Sequence, residues 1–492
     1  MKKFLFVLLC LVSAATARAE DIIQAVPFRA EPGLTTDDAF CFSVRMNNTE
    51  PIWAYQLDFL LPEGMTLDDT GGLNPFELNP DRFPHSSRGG VITYKHGIAW
   101  KQQPDGWYRV IVSPNDATRI EGTEGEVMKV YILTSPDMKP GLYPIKVRGE
   151  ILVITGSSDI RPDISSSYVS IGESPLATEA APDLSALTGY LPSWVVGTMG
   201  EELKANDRLT ELDLTGVTAM GAALTLPNPN TMCYVNTGCQ WQDAAESAPL
   251  NVVRTDGTDY TSTHLTLDED YPFALSHTVA AESLTLKRST VSADWNSLCL
   301  PFALTAGQLT GAFGPDVALY RFDGMRDGLL HFQPTEAGEA HTPYLLRHPT
   351  ASADGTYAFS GVTLPALSAE PEVTDGAARF FGNYAGHVSA TGYYGVTNDA
   401  RIAVGSESAT VRGFKALFDL SDVDRAFALR LHFGEDDDAT AIGDVVDGSS
   451  ATPVDVYTLS GICIRRQVAR SRALDGLPAG IYIINNQKVI VK

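Results

Sequence analysis

The stretch that decides the fold is PIWAYQLDFLLPEGM, Pro51 to Met65. Trp53, Tyr55, Leu57, Phe59 and Leu61 fall on one side of an extended chain, and Ala54, Gln56, Asp58 and Leu60 on the other. An apolar period of two marks a strand with one face on a core. FCFSVRM, just upstream, repeats the pattern through Phe40, Phe42, Val44 and Met46. Downstream, GWYRVIVSP, EVMKVYILTS and GLYPIKVRGEILVI are further strand runs, separated by Gly, Pro, Asp and Asn turns. Short strands at this spacing predict an all-β, antiparallel β-sandwich over residues 20–173.

Taken together, DAFCFSVRMNNTEPIWAYQLDFLLPEGMTL, GWYRVIVSP and EGEVMKVYILTSPDMKPGLYPIKVRGEILVI resemble a cohesin-like module of the carbohydrate-binding β-sandwich superfamily. The resemblance implies a jelly-roll sandwich that binds a partner protein or a polysaccharide. Within the module, Trp100, Trp107 and Tyr108 lie near strand ends beside Tyr94 and His96. Exposed aromatic rings can stack on the CH face of a sugar, so these three are the candidate ligand-binding residues. A packed core is the alternative. Trp53, within the apolar stripe, is expected in the core.

Residues 174–226 are rich in Ala, Pro, Ser and Thr and read as a linker. Inside it, LTELDLTGV places Leu209, Leu212, Leu214 and Val217 as in one turn of a leucine-rich repeat. A solenoid needs about three such turns, so a strand and turn opening the next domain is the favoured reading. A second β-rich domain is expected over 227–434, from runs such as WNSLCLPFAL, TPYLLRH and GFKALFDL. These resemble a domain of secreted surface proteins in Gram-negative bacteria with type IX secretion. Residues 435–452, with Asp436, Asp437 and Asp438, read as an acidic, solvated linker. The run lacks the glycine and glutamate of an EF-hand loop, which leaves calcium as a lesser alternative; no other cofactor or metal is indicated. Cys233 and Cys239 are close enough to form a disulfide worth about 2 kcal/mol. Cys41 and Cys299 read as small buried hydrophobes.

The tail, 453–492, is basic where the chain is acidic. VDVYTLSGICIRRQV and GLPAGIYIINNQKVIVK read as paired strands, with Asn485 and Asn486 suited to a tight turn. So short a segment buries too little to stand alone comfortably. It resembles the C-terminal sorting domain of type IX secretion, with Gly461, Gly480, Tyr482, Lys488 and Lys492 as the signal residues. The alternative is a terminal strand pair completing a sheet. The opening MKKFLFVLLCLVSAATARAE has the layout of a secretory signal cleaved after Ala19, making 1–19 a signal peptide.

Of 492 residues, 44% are hydrophobic and 20% charged, as expected of globular domains. Beyond the signal, 33 basic groups face 60 acidic ones, a net charge of −27. That charge disfavours nucleic acid and anionic lipid. No run after the leader reaches the roughly 18 apolar residues of a membrane-spanning helix. No zinc motif, nucleophile elbow or phosphate loop occurs, and no catalytic residue stands out. The sequence therefore reads as an exported, non-catalytic surface or secreted protein. It would bind polysaccharide or a protein partner and be handled by the outer-membrane secretion machinery. An extracellular hydrolase with dispersed catalytic residues and a structural surface component are the rival readings.

Overall fold

In the computed structural model, residues 21–491 are described, apart from 156–157, 163, 242–249, 289–290, 327, 399, 424–429, 435–453, 459–462, 469–471, 475, 479 and 485–486. The chain is all-β and forms two compact units. The first runs to Asp268 and includes Pro272–Thr285; the second comprises Glu269–Tyr271 and Leu286 onward. The acidic run at Asp436, Gly461, Lys492 and the cleavage site at Ala19 lie outside the described residues. No helix among the described residues is long and apolar enough to cross a membrane.

The strands that build the sandwich of the first unit include β1 (Ile22–Ala25), β2 (Cys41–Asn47), β3 (Ala54–Leu60), β4 (Met65–Leu67), β5 (Phe76–Leu78), β6 (His96–Gln102), β7 (Tyr108–Pro114), β8 (Glu124–Thr134), β9 (Gly141–Thr155) and β10 (Ser165–Ile171). One sheet has the order β1-β2-β8-β4, with β5 also on β8. The facing sheet contains β10-β9-β3-β7-β6. The alternation read from sequence sets the packing: Tyr55, Leu57 and Phe59 from one sheet and Phe42, Val44 and Met46 from the other enter one core. Trp53 departs from the expectation. It precedes β3, where the chain bends, and is half-buried, while Ile52 takes the fully buried place.

The expected linker over 174–226 is folded. After β10 come β11 (Gly189–Leu191), α1 (Ser193–Leu203), β12 (Glu211–Leu214), β13 (Val217–Met220), β14 (Met232–Asn236) and β15 (Asn251–Thr255). β11 pairs in parallel with both β10 and β13. β12, β14 and β15 form a second parallel ladder. Leu209, Leu212, Leu214 and Val217 are all fully buried in a core shared with Val195, Met199, Cys233 and Val235. The stretch is a strand and a turn, as the favoured reading had it, and β14 and β15 extend its parallel ladder. The boundary expected at 226/227 falls inside this core, between Leu226 and Cys233.

Asparagine amides tie the turns to one another and to the Thr266–Asp268 stretch. Asn251 Nδ2 donates to the carbonyls of Pro229 and Thr266, both at 2.9 Å, and its Oδ1 accepts from the Thr266 amide at 2.6 Å. Asn230 Nδ2 donates to the Asp268 carbonyl at 2.9 Å, and Asn228 Nδ2 to that of Leu209 at 2.7 Å. Buried main-chain groups that lack a ladder partner are satisfied in this way. Cys233 and Cys239 stand as thiols in the same core and are not bridged.

The second unit packs two five-stranded sheets. One contains Trp295–Cys299, Pro343–Arg347, Ala318–Arg326 and Leu329–Thr335; the other contains Ala378–Asn383, Lys415–Asp419, Tyr394–Val396 and Ile402–Val404. Phe322 and Phe332 meet Phe380 and Phe418 between them, the last two stacked at 4.2 Å. Cys299 is fully buried, as its apolar neighbours imply; Cys41 is half-buried. The four strand runs read in the tail form one four-stranded sheet. Its order is Cys463–Val468, Val454–Thr458, Gly480–Ile484, Gln487–Val491. Val454, Val456, Ala473, Tyr482 and Ile484 form its core.

Candidate binding face of the N-terminal sandwich

The hairpin from β6 to β7 places the three candidate aromatics. Its turn, Gln103-Pro104-Asp105-Gly106, is closed by the Gly106 amide on the Gln103 carbonyl at 3.0 Å. Gly106 adopts φ +86° there, a conformation glycine reaches without strain. The register pairs Tyr108 with Gln102 and Val110 with Trp100, so Trp100, Tyr108 and Val110 share the inward face. Tyr108 is buried against Phe59, with ring centroids 5.6 Å apart. Trp100 is half-buried and meets Phe76 edge-on at 5.8 Å. Trp107 falls on the opposite, outward face.

The structure therefore does not gather Trp100, Trp107 and Tyr108 into one platform. Tyr94 and His96 are also engaged. Tyr94 Oη donates to the Leu78 carbonyl at 2.6 Å, and His96, 4% exposed, binds the Trp53 carbonyl through Nε2 at 3.2 Å. Burial holds the His96 imidazole below its usual pKa, partly offset by that bond.

On the outward face, strand register builds two rows that sequence reading missed. Lys101, Arg109, Asp58 and Arg148 align across β6, β7, β3 and β9. Arg109 grips Asp58 bidentately, Nε to Oδ1 at 2.8 Å and Nη2 to Oδ2 at 2.7 Å. This geometry raises the Arg109 pKa. Arg148 pairs with Asp105, which lowers the Asp105 pKa, and its guanidinium lies 4.0 Å over the Trp107 ring. The adjacent row is Ala99, Ile111, Gln56 and Ile151, with Ile111 38% exposed. Three cations against two carboxylates make this face locally basic on an acidic chain. The signal was present as polar residues between the apolar ones of β3 and β7, but only the register brings them side by side.

Of the proposed sorting residues, Tyr482 is buried in the small core of the tail and donates from Oη to the Pro478 carbonyl at 2.8 Å. Gly480 opens its strand opposite Val491, and Lys488 pairs with Ile483 along the backbone.

No family model matches the chain, and no curated protein matches it. Among solved structures it is similar to a non-cellulosomal cohesin from Archaeoglobus fulgidus, at 14% identity, covering 32% of this chain and 93% of that one, with a TM-score of 0.23. It is similar to a cohesin module of a Clostridium perfringens family 33 glycoside hydrolase at 14% identity, covering 31% and 96%, with a TM-score of 0.21. A type I cohesin–dockerin complex from Clostridium thermocellum matches at 15% identity, covering 30% and 99%, with a TM-score of 0.23.

Proposed function

We propose that this chain is an exported, non-catalytic binding protein whose N-terminal cohesin-like sandwich holds an acidic protein partner on the β6-β7-β3-β9 face. The observation that carries the reading is the pair of rows on that face. Arginines and an exposed isoleucine on strands, beside a Trp at the adjoining turn, are the kind of residues that dominate protein–protein contacts. The lysine and arginines favour an acidic counterpart. A sugar platform is the weaker reading, since Trp100 and Tyr108 point inward and Arg148 covers one side of Trp107. The tail's resemblance to a sorting domain supports export through the outer membrane by type IX secretion.

Affinity capture from the surface proteome with the full chain tests the proposal, alongside a glycan array. The double variant Trp107→Ala/Ile111→Asp is expected to lose an acidic protein captured by the wild type, by about tenfold or more in affinity. Equal capture by both proteins would remove the face from the binding site. Glycan hits lost in the variant would move the assignment to polysaccharide. Turnover in a broad hydrolase screen would overturn the non-catalytic reading.

A further inference from the structure

The second unit contains a trough of about 1010 Å³ that the binding face does not explain. Arg288, Arg412 and Lys415 line it, together with Val396, Val404 and Val411. The three cations gather near two carboxylates. Arg412 Nη1 lies 3.2 Å from Glu269 Oε1 and 3.2 Å from Asp270 Oδ1, and Lys415 Nζ lies 3.8 Å from Glu269 Oε2. The Glu269 side chain is 1% exposed.

Arg288 is the group that this network leaves short. It is 2% exposed. Its guanidinium donates to main-chain carbonyls, Nη2 to Ser297 at 2.6 Å and Nη1 to Phe414 at 3.4 Å. Among the described residues its Nε has no hydrogen-bond partner, and no carboxylate accepts from it. A guanidinium keeps its charge in a protein, and a buried charge without a counter-charge in contact is unfavourable. Among these described residues, three cations face two carboxylates, beside an apolar valine lining. The trough's volume is at the upper end of the usual range for small-ligand sites.

We propose that this trough binds a small organic carboxylate, its charge seated against Arg288, Arg412 and Lys415 and its body against the valine wall. Bidentate guanidinium–carboxylate contact supplies orientation as well as attraction. Two sources share this chemistry: an acidic sugar and an aliphatic acid. The inference is independent of the sandwich face and of any partner held there.

Calorimetric titration of the full chain with galacturonate and with octanoate, each beside its neutral counterpart galactose or octanol, tests the site. At least one carboxylate is expected to bind at millimolar concentration or better while its neutral counterpart does not, and the arm that binds identifies the body. Silence of both carboxylates, or equal binding of a neutral counterpart, overturns the proposal. Lys415→Gln, checked for folding by circular dichroism, should weaken binding about tenfold; unchanged affinity overturns the site. Should that variant fail to fold, the wild type decides by its pH profile. Burial and the neighbouring Arg288 pull the Lys415 ammonium down to about 8. Affinity should then fall as pH rises through that value, and a flat profile counts against the site.

Discussion

His96 links one buried side chain to solution conditions. Its ring meets Phe83 edge-on at 5.0 Å, and burial holds its pKa below the ordinary histidine value. The unfolded chain takes up a proton on this residue at a higher pH than the folded chain does. Its contribution to stability is thus complete above the ordinary value and is lost as pH falls toward the depressed one. Urea denaturation from neutral pH down to about pH 5 should show stability declining, and His96→Gln should flatten that decline. An identical slope in the variant would assign the decline to other groups. At this scale the sequence was readable where a residue faces a single core. Tyr55, Leu57 and Phe59 fall where alternation places them. It was unreadable where a charge is hidden by a partner. Asp58 lies on the polar side of the alternation yet its side chain is only 3% exposed, because Arg109 covers it from the neighbouring strand.

Among the elements, the parallel ladders of β10 to β15 were the hardest to anticipate. β10 reads SSSYVSI, and all seven residues are buried. Its serines lack the apolar signal that normally marks a strand covered on both faces. Ser166 Oγ instead donates to the Thr188 carbonyl at 2.6 Å. The usable signal was the recurrence of LDLTG, YVNTG and VRTDG at intervals of about twenty residues, a period typical of solenoid turns. Substitution of Leu by Cys233 within the series weakened it. The asparagine bonds give this region a specific vulnerability. Asn251→Leu removes three of them and leaves buried main-chain groups unpaired, so it should destabilise the first unit by about 3 kcal/mol. Chemical denaturation checks this, and a loss below about 0.5 kcal/mol would show that water or a local shift replaces the bonds.

For the whole molecule, strand periodicity identified an all-β chain of several parts. The sandwich core ends at Ile171, beside the boundary read at 173, whereas 174–226 is folded, because a composition rich in Ala, Ser and Thr can still pack around a leucine core. The four strands of the tail were legible in the sequence, and only their order, with Val454–Thr458 between Cys463–Val468 and Gly480–Ile484, came from the pairing. If this sheet is the export signal, removing residues 454–492 should retain the protein in the periplasm, as read by cell fractionation with a periplasmic marker. Undiminished delivery to the surface or medium would refute the sorting role. The asparagine bonds have a consequence for how this region can open. Asn230 and Asn251 both reach the Thr266–Asp268 stretch, so that stretch cannot part from the earlier turns without breaking bonds in the interior.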